Sequence, residues 1–416
     1  MPARQLLVIA DDLTGGADAG VRFARAGMPT RLLIDSRSAD LDGDLAGALV
    51  VDTDSRQLPP DAARRLVRDT ARRVSAGHVV KKVDSLLRGP LAAELLGLLD
   101  ALPGTLIVLA PALPAASRTT VDGVQHVDGT PLHRTAAWAA EPRPPAPDIA
   151  TQLAPLRVTQ IGLHCVRGGR LTAAIDAATT PIVLCDATTD ADLAAIVYAG
   201  LASRRPICWA GSAGLTSALA AALAPAEPSG AADALAELIG TYRDAVDRPY
   251  LAVVGSATPV ALAQAEELAA RGAQLLSIPA EDLVAGHGDL AARISRTAAV
   301  ADTVVRVDGG VDPAATGRVA AALAAVTAPA ATRARLLLLT GGSTARGVLT
   351  GADVASLWLL AEPEPGVVVS ADPATGRLVV TKAGSFGDPH TLGRAVAALR
   401  RTPSPVPRDT LKEPTP

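Results

Sequence analysis

The sequence predicts an α/β protein of two domains, each a mostly parallel sheet with helices on both faces. Three observations predict it. Short unbroken apolar runs alternate along the chain with longer amphipathic stretches, the pattern of strands buried on both faces by crossover helices. The chain has 416 residues, and at about 100–200 residues per domain two domains are the natural expectation. The segment 225–248, PAEPSGAADALAELIGTYRDAVDR, interrupts the alternation: it begins with Pro, Glu, Ser and Gly and then offers one helix.

In chain order, the first domain is expected over 1–225. Its strands are LLVIA from Leu6, TRLLID from Thr30, ALVVD from Ala48, HVVKKVD from His78, TLIVLA from Thr105, PIVLCD from Pro181 and PICWAG from Pro206. Helical patterns such as DAARRLVRDTARRVS and LAAELLGLLDAL lie between them, and the Pro-rich residues 139–157 read as an irregular crossing loop. A linker and connecting helix are expected over 226–248. The second domain, 249–401, holds YLAVVG from Tyr250, AQLLSIP, TVVRVDGG, RLLLLTGG from Arg335, LWLLAE, GVVVS and RLVVTK. The last two flank DPATG, a hairpin turn signal. The Pro-rich stretch 402–416, TPSPVPRDTLKEPTP, is expected to be disordered.

Composition narrows the function classes. Apolar residues make up 49% but aromatics only 2%, so the core must be built from Ala, Val and Leu. The net charge is -3, with Lys and Arg spread along the chain, whereas a nucleic-acid partner calls for a clustered basic face. No apolar run reaches the ~18 residues of a membrane span, and MPARQLLVIADD meets acids too early for a secretion signal. Cys165, Cys185 and Cys208 form no CxxC pair. They read as small buried hydrophobes in a reducing compartment. The expectation is a cytoplasmic protein with neither nucleic-acid nor membrane partners.

Ligands of open α/β sheets bind beyond the carboxyl ends of the strands, and polar residues gather there. The first strand ends in Ala10-Asp11-Asp12-Leu13-Thr14-Gly15-Gly16, with a helix expected from about Ala17. Asp11 or Asp12 there suits a general base toward a hydroxyl or a carboxylate facing Mg²⁺ indirectly; Asp12 or Thr14 serves equally as a helix cap. The third strand ends in Asp52-Thr53-Asp54-Ser55-Arg56, and the fourth in Lys81-Lys82-Val83-Asp84-Ser85-Leu86-Leu87-Arg88-Gly89-Pro90. Such a cluster can grip a carboxylate and its neighbouring hydroxyls, or form ordinary surface pairs. The second half offers Gly-rich strand-to-helix turns at Gly255-Ser256-Ala257-Thr258-Pro259, at Thr340-Gly341-Gly342-Ser343-Thr344 and at Lys382-Ala383-Gly384-Ser385-Phe386-Gly387. Turns of this kind let backbone N–H groups approach phosphates. None is a GxxxxGK[ST] loop or a GxGxxG fingerprint.

Taken together, ADDLTGG, KKVDSLLRG, VGS, LTGGSTA and VTKAGSFGD resemble the four-carbon acid sugar kinase family over nearly the whole chain. The resemblance implies an N-terminal sugar-acid domain and a C-terminal nucleotide domain, with the active site in the cleft between them. It implies that Asp11 and Asp12 are the opening acids. Substrate would be bound by Asp11, Arg56, Lys82, Val83, Asp84, Ser85 and Arg88. The nucleotide would be bound by Ser256, Gly341, Gly342, Ser343 and Thr344, and by Lys382, Ala383, Gly384 and Gly387. ATP and Mg²⁺ are the implied cofactors, the metal ligands are unassigned, and a homodimer is among the expected assemblies. The chain departs from the family pattern at Leu86, where Thr is usual, at Ser343, where an acid is usual, at Glu141-Pro142, and in the Pro111–Arg118 segment, which follows PAxPxxGR only loosely.

The expected reaction is transfer of the γ-phosphoryl of ATP to a hydroxyl of threonate, erythronate or a 3-oxo-tetronate. Positioning and charge neutralisation carry such a transfer, and domain closure would exclude water. Two other readings stay open: a regulatory protein that binds nucleotide and sugar acid without turnover, kept alive by Ser343, and a sugar-acid dehydrogenase or isomerase, the missing GxGxxG counting against the dehydrogenase.

Overall fold

The computed structural model describes residues 4–36, 47–138, 141, 144–224, 240–286, 289–309 and 315–400. The strands of the first half are β1 (Arg4–Ala10), β2 (Thr30–Leu33), β3 (Ala48–Asp52), β4 (Ala76–Lys82), β5 (Leu106–Ala110), β6 (Arg118–Val121), β7 (Val124–Val127), β8 (Thr130–Pro131), β9 (Val158–Ile161), β10 (Ile182–Cys185) and β11 (Ile207–Gly211). Those of the second half are β12 (Tyr250–Val254), β13 (Gln274–Pro279), β14 (Thr303–Asp308), β15 (Leu336–Thr340), β16 (Ser356–Glu364), β17 (Val367–Ala371) and β18 (Leu378–Lys382). The start of the expected linker, 226–239, and the expected tail, 402–416, lie outside the described residues; 240–248 contains the short helix Arg243–Val246.

The sheets of the two halves join edge to edge. Fifteen strands form one sheet in the order β13-β14-β12-β15-β18-β17-β16-β2-β3-β1-β4-β11-β5-β10-β9, while β6, β7 and β8 form a small antiparallel sheet. Away from the junction the pairing in the large sheet is parallel, and antiparallel pairs occur near it: β18 with β17 and β17 with β16 inside the second half, and β16 with β2 across the join. At the join Leu357 lies opposite Leu32 and Trp358 opposite Arg31. The hairpin expected at DPATG forms, with Gly376 N–H donating to Asp372 O (2.9 Å) and Gly376 at φ +67°.

Unbroken apolar strands explain the burial. Leu6 to Ala10, Leu106 to Ala110 and Leu251 to Val253 are each 0–1% exposed, since helices cover both sheet faces. Aliphatic side chains and Ala supply nearly all of this core, with Phe23 and Trp209 as its largest aromatics. Cys185 and Cys208 are buried and Cys165 is half-buried, all as free thiols.

The first helix starts earlier than expected, at Leu13, and takes Gly15 and Gly16 into its first turns. Packing is the reason. A Cβ on Gly16 would meet Ala10 Cβ at 3.0 Å, and one on Gly20 would meet Leu359 Cδ1 at 2.5 Å. The glycines therefore seat this helix against β1 and across the join. Topology then fixes where ligands can bind. β3 and β4 flank β1 on opposite sides, and β14 and β15 flank β12, so a topological switch point lies at the carboxyl end of β1 and another at that of β12. Among the described residues, no helix is long and apolar enough to cross a membrane.

Candidate functional site

Parallel register brings the polar strand ends of the first half together: Ala10 lies opposite both Asp52 and Lys82, and Lys82 opposite Gly211. Asp12 caps the first helix, accepting from Gly15 N (3.1 Å) and from Thr14 Oγ1 (2.8 Å). Arg56 reaches both opening acids, with Nε 2.7 Å from Asp11 Oδ2 and Nη2 2.7 Å from Asp12 Oδ1. Asp11 is 2% exposed and its Oδ1 has no hydrogen-bond partner. Burial opposes its ionisation, but Arg56, Lys81 and Lys82 outweigh that and hold its pKa below the usual carboxylate range.

The KKVDSLLRG turn is organised by its own charges. Arg88 forms a fork on Asp84, with Nε to Oδ2 at 2.7 Å and Nη2 to Oδ1 at 3.0 Å. Despite burial, Arg88, Arg56 and Lys82 hold the Asp84 carboxyl far below its ordinary value. Lys82 Nζ donates to Val83 O at 2.9 Å, while the Val83 side chain turns into the core. Lys81 is fully buried against Glu94, 3.1 Å from Oε2. Ser85 accepts from Arg118, whose guanidinium also stacks on Phe386 of the second half, 5.3 Å from the ring centroid.

The second half aligns its Gly-rich turns in the same way, because Val254, Thr340 and Lys382 are neighbours across β12, β15 and β18. The turns are in close contact. A Cβ on Gly255 would overlap Thr344, and one on Gly384 would overlap Ser256. Thr258 Oγ1 donates to Gly384 O at 2.9 Å. Gly341, at φ +95°, leads into the helix Gly342–Gly351 with no side-chain cap, so its first-turn N–H groups are available to an anion. Ser343 is exposed in that first turn. Lys382, 1% exposed, donates to Ala383 O (2.6 Å) and Phe386 O (2.8 Å), and burial pushes its pKa down to about 8.

The two clusters also meet at Asp12. A Cβ on Gly342 would lie 2.5 Å from Asp12 Oδ2, so Asp12 sits against the first turn of the helix Gly342–Gly351. Beside this contact is a cleft of about 540 Å³, counting its open mouth. Asp12, Arg56, Lys82, Asp84, Ser85 and Arg88 line it from the first half, and Gly366, Ala383, Ser385 and Phe386 from the second. Asp11, Val83, Ser256, Gly341 to Thr344, Lys382, Gly384 and Gly387 are not on its walls; they build the layers behind and beside it. Among the described residues, no group of three or more His, Cys, Asp or Glu could hold a metal ion.

Sequence reasoning gave no role to two residues here, one of them Arg118 at the end of the Pro111–Arg118 segment. Arg118 lines the cleft from the small sheet, whose short strands carry little apolar signal. Arg346, one turn into the helix Gly342–Gly351, pairs with Asp52 Oδ2 at 2.5 Å and Asp54 Oδ2 at 3.4 Å, and bonds Ile34 O. It fastens the two halves together. Asp52 is wholly buried, and burial, only partly offset by Arg346, pushes its pKa up to about 7. The position of Arg346 just after LTGGSTA was a usable signal.

Acids and guanidiniums at the strand ends of the first half thus lie beside the Gly-rich turns of the second, and comparison with known proteins gives the class, a two-domain phosphotransferase. Residues 6–219 match the family of sugar-binding N-terminal domains and residues 251–392 that of nucleotide-binding C-terminal domains. The chain is 37% identical to the D-threonate kinase of Cupriavidus necator, covering 96% of this chain and 99% of that protein. It is 32% identical to the D-threonate kinase of Bordetella bronchiseptica, covering 94% and 97%. A solved Salmonella typhimurium structure superposes with a TM-score of 0.75 at 19% identity, over 94% of this chain and 98% of that one, and so shares the fold. The chain belongs to the four-carbon acid sugar kinase family.

Proposed function

We propose that this protein transfers the γ-phosphoryl of ATP to a hydroxyl of a four-carbon sugar acid, with D-threonate the first acid to test. The observation that carries this reading is the contact of Asp12 with Gly342, which sets a carboxylate from the sugar half against the helix start of the nucleotide half. In this reading Asp12 accepts or orients the proton of the attacking hydroxyl. Arg56 fixes that carboxylate through its 2.7 Å bond. The first-turn N–H groups of the helix Gly342–Gly351 and the turns at Ser256 and Lys382 to Gly387 hold the phosphates. These residues fit a nucleotide: the helix start at Gly342 has no side-chain cap, so its first-turn N–H groups are available to phosphate oxygens. Mg²⁺, when bound with ATP, would neutralise charge on the phosphates; such ions are held by one or two carboxylates plus phosphate oxygens. Domains are assigned as 1–225 for the acid and 249–401 for the nucleotide.

The test is ADP release measured with D-threonate, L-threonate, D-erythronate and 3-oxo-tetronates, each with MgATP. Release that depends on one of these acids is expected. A folded protein that releases no ADP with any of them would sink the proposal.

A further inference from the structure

Charge pairing in the cleft leaves one guanidinium without a carboxylate. Arg56 is committed to Asp11 and Asp12, and Arg88 to Asp84. Arg118 makes no ion pair among the described residues. Its Nη1 bonds Ser85 Oγ and the flat face of its guanidinium rests on Phe386. Stacking occupies the face of a guanidinium and leaves its edge N–H groups to donate. Here the edge formed by Nε and Nη2 makes no hydrogen bond among the described residues, and Nε is buried without a partner. A buried donor left unmet is costly, so a ligand acceptor at this edge is the economical completion.

The backbone holds Arg118 in place. Its N–H donates to Leu113 O (3.1 Å) and its carbonyl accepts from Leu113 N (2.8 Å). The turn joining β6 to β7 is pinned by Asp186, which accepts from Asp122 N (2.7 Å) and Gly123 N (3.0 Å). Lys82, the other cation of the cleft without a carboxylate partner among the described residues, bonds a carbonyl. Asp12 and Gly342 mark where phosphoryl transfer would occur, whereas Arg118 bonds the substrate turn at Ser85.

We propose that the Nε–Nη2 edge of Arg118 receives the substrate's carboxylate as a two-pronged pair, with Lys82 adding charge, and so makes the site prefer an acid to the matching alcohol. The proposal rests on the kinase reading above. It is tested by comparing D-threonate with threitol, which has a hydroxymethyl group in place of the carboxylate, in the full-length protein and in Arg118→Gln and Arg118→Lys.

Losing a charge-assisted bond should raise the KM for D-threonate by about 10- to 150-fold in Arg118→Gln. The KM for ATP should change far less, the melting temperature should fall only by the loss of the Ser85 bond and the Phe386 stack, and the preference for D-threonate over threitol should shrink by a similar factor. Arg118→Lys should recover part of the loss. An unchanged KM for D-threonate, an equal loss for threitol, or a loss confined to kcat would overturn the assignment. If the unaltered protein turns over no acid, the kinase reading fails; calorimetric titration of D-threonate into protein and Arg118→Gln then decides the role of Arg118 by itself, with equal affinities counting against it.

Discussion

Replacing Asp12 by Asn tests the chemistry at the point where the two halves touch. Asn keeps the shape and an oxygen that can accept from Gly15 N, so the helix cap survives. It loses the charge facing Arg56 Nη2 at 2.7 Å, but Arg56 retains Asp11. The stability cost should therefore stay near that of one weakened charged bond, about 1–2 kcal/mol. The rate should fall much further, because a general base contributes about 10²–10⁴-fold, or about 3–5 kcal/mol of barrier. Asp11→Asn is the contrast. Asp11 is buried beside Arg56, Lys81 and Lys82, and breaking a buried pair costs about 3–5 kcal/mol of stability. The assay is kcat and both KM values for each variant, with thermal melting alongside. Asp12→Asn should chiefly slow turnover and Asp11→Asn chiefly lower the melting temperature. If Asp12→Asn melts normally and keeps kcat within about twofold, ~0.4 kcal/mol, then Asp12 is only a cap and the base lies elsewhere.

Three more outcomes follow from the geometry. Gly342→Ala should favour its helix by up to about 1 kcal/mol in intrinsic propensity, yet its Cβ, 2.5 Å from Asp12 Oδ2, must displace that carboxylate; kcat should drop more than about tenfold, and an active, fully stable variant would refute the close approach. Lys382, with its pKa lowered by burial from 10.5 to about 8, should lose its proton as pH rises through about 8, so the KM for ATP should climb from pH 7 to 9.5. The unfolded chain holds that proton to higher pH, so this group makes folding more favourable between about 8 and 10.5; Lys382→Met should show a high, pH-independent KM, and a flat wild-type profile would count against the role. Asp52 has its pKa raised by burial from 3.8 to about 7, so the folded state binds the extra proton in that window and stability falls as pH rises through it. Asp52→Asn should gain in melting temperature on the unaltered protein as pH rises from about 4 to 7, and a pH-independent difference would show that Arg346 already neutralises the site.

What the sequence made legible was local. Apolar runs such as LLVIA, TLIVLA and RLLLL mark β1, β5 and β15 because strands buried on both faces need no polar alternation. The turns at their ends were visible for the same reason: a strand that stops at Asp, Lys or Gly-Gly announces its carboxyl end. β6 to β9 escaped notice because RTTV, VQHV, TP and VTQI are short and mostly half-exposed. The edge pairing of β2 with β16 spans more than 300 residues, and periodicity carries no information about it. Charge pairing was equally hidden. Arg88, read as a substrate contact, lines the cleft with its fork on Asp84, and Arg118 makes no ion pair among the described residues although Asp84 and Asp128 lie close enough to act on its charge.

The β2–β16 pairing has a mechanical consequence. Backbone bonds run without a break from one half to the other, and Arg346 and the pairs of Glu362 with Arg22 and Arg25 brace the same line. The halves should therefore melt in a single transition and exchange the amides of β2 and β16 as slowly as those of the central strands. A chain cut between them would bare an unpaired strand edge on each piece, a ready template for self-association. Motion during turnover is then left to sheet twist, since the β6–β8 sheet is itself tied to the end of β10 through Asp186 and the Thr120–Ala187 bridge.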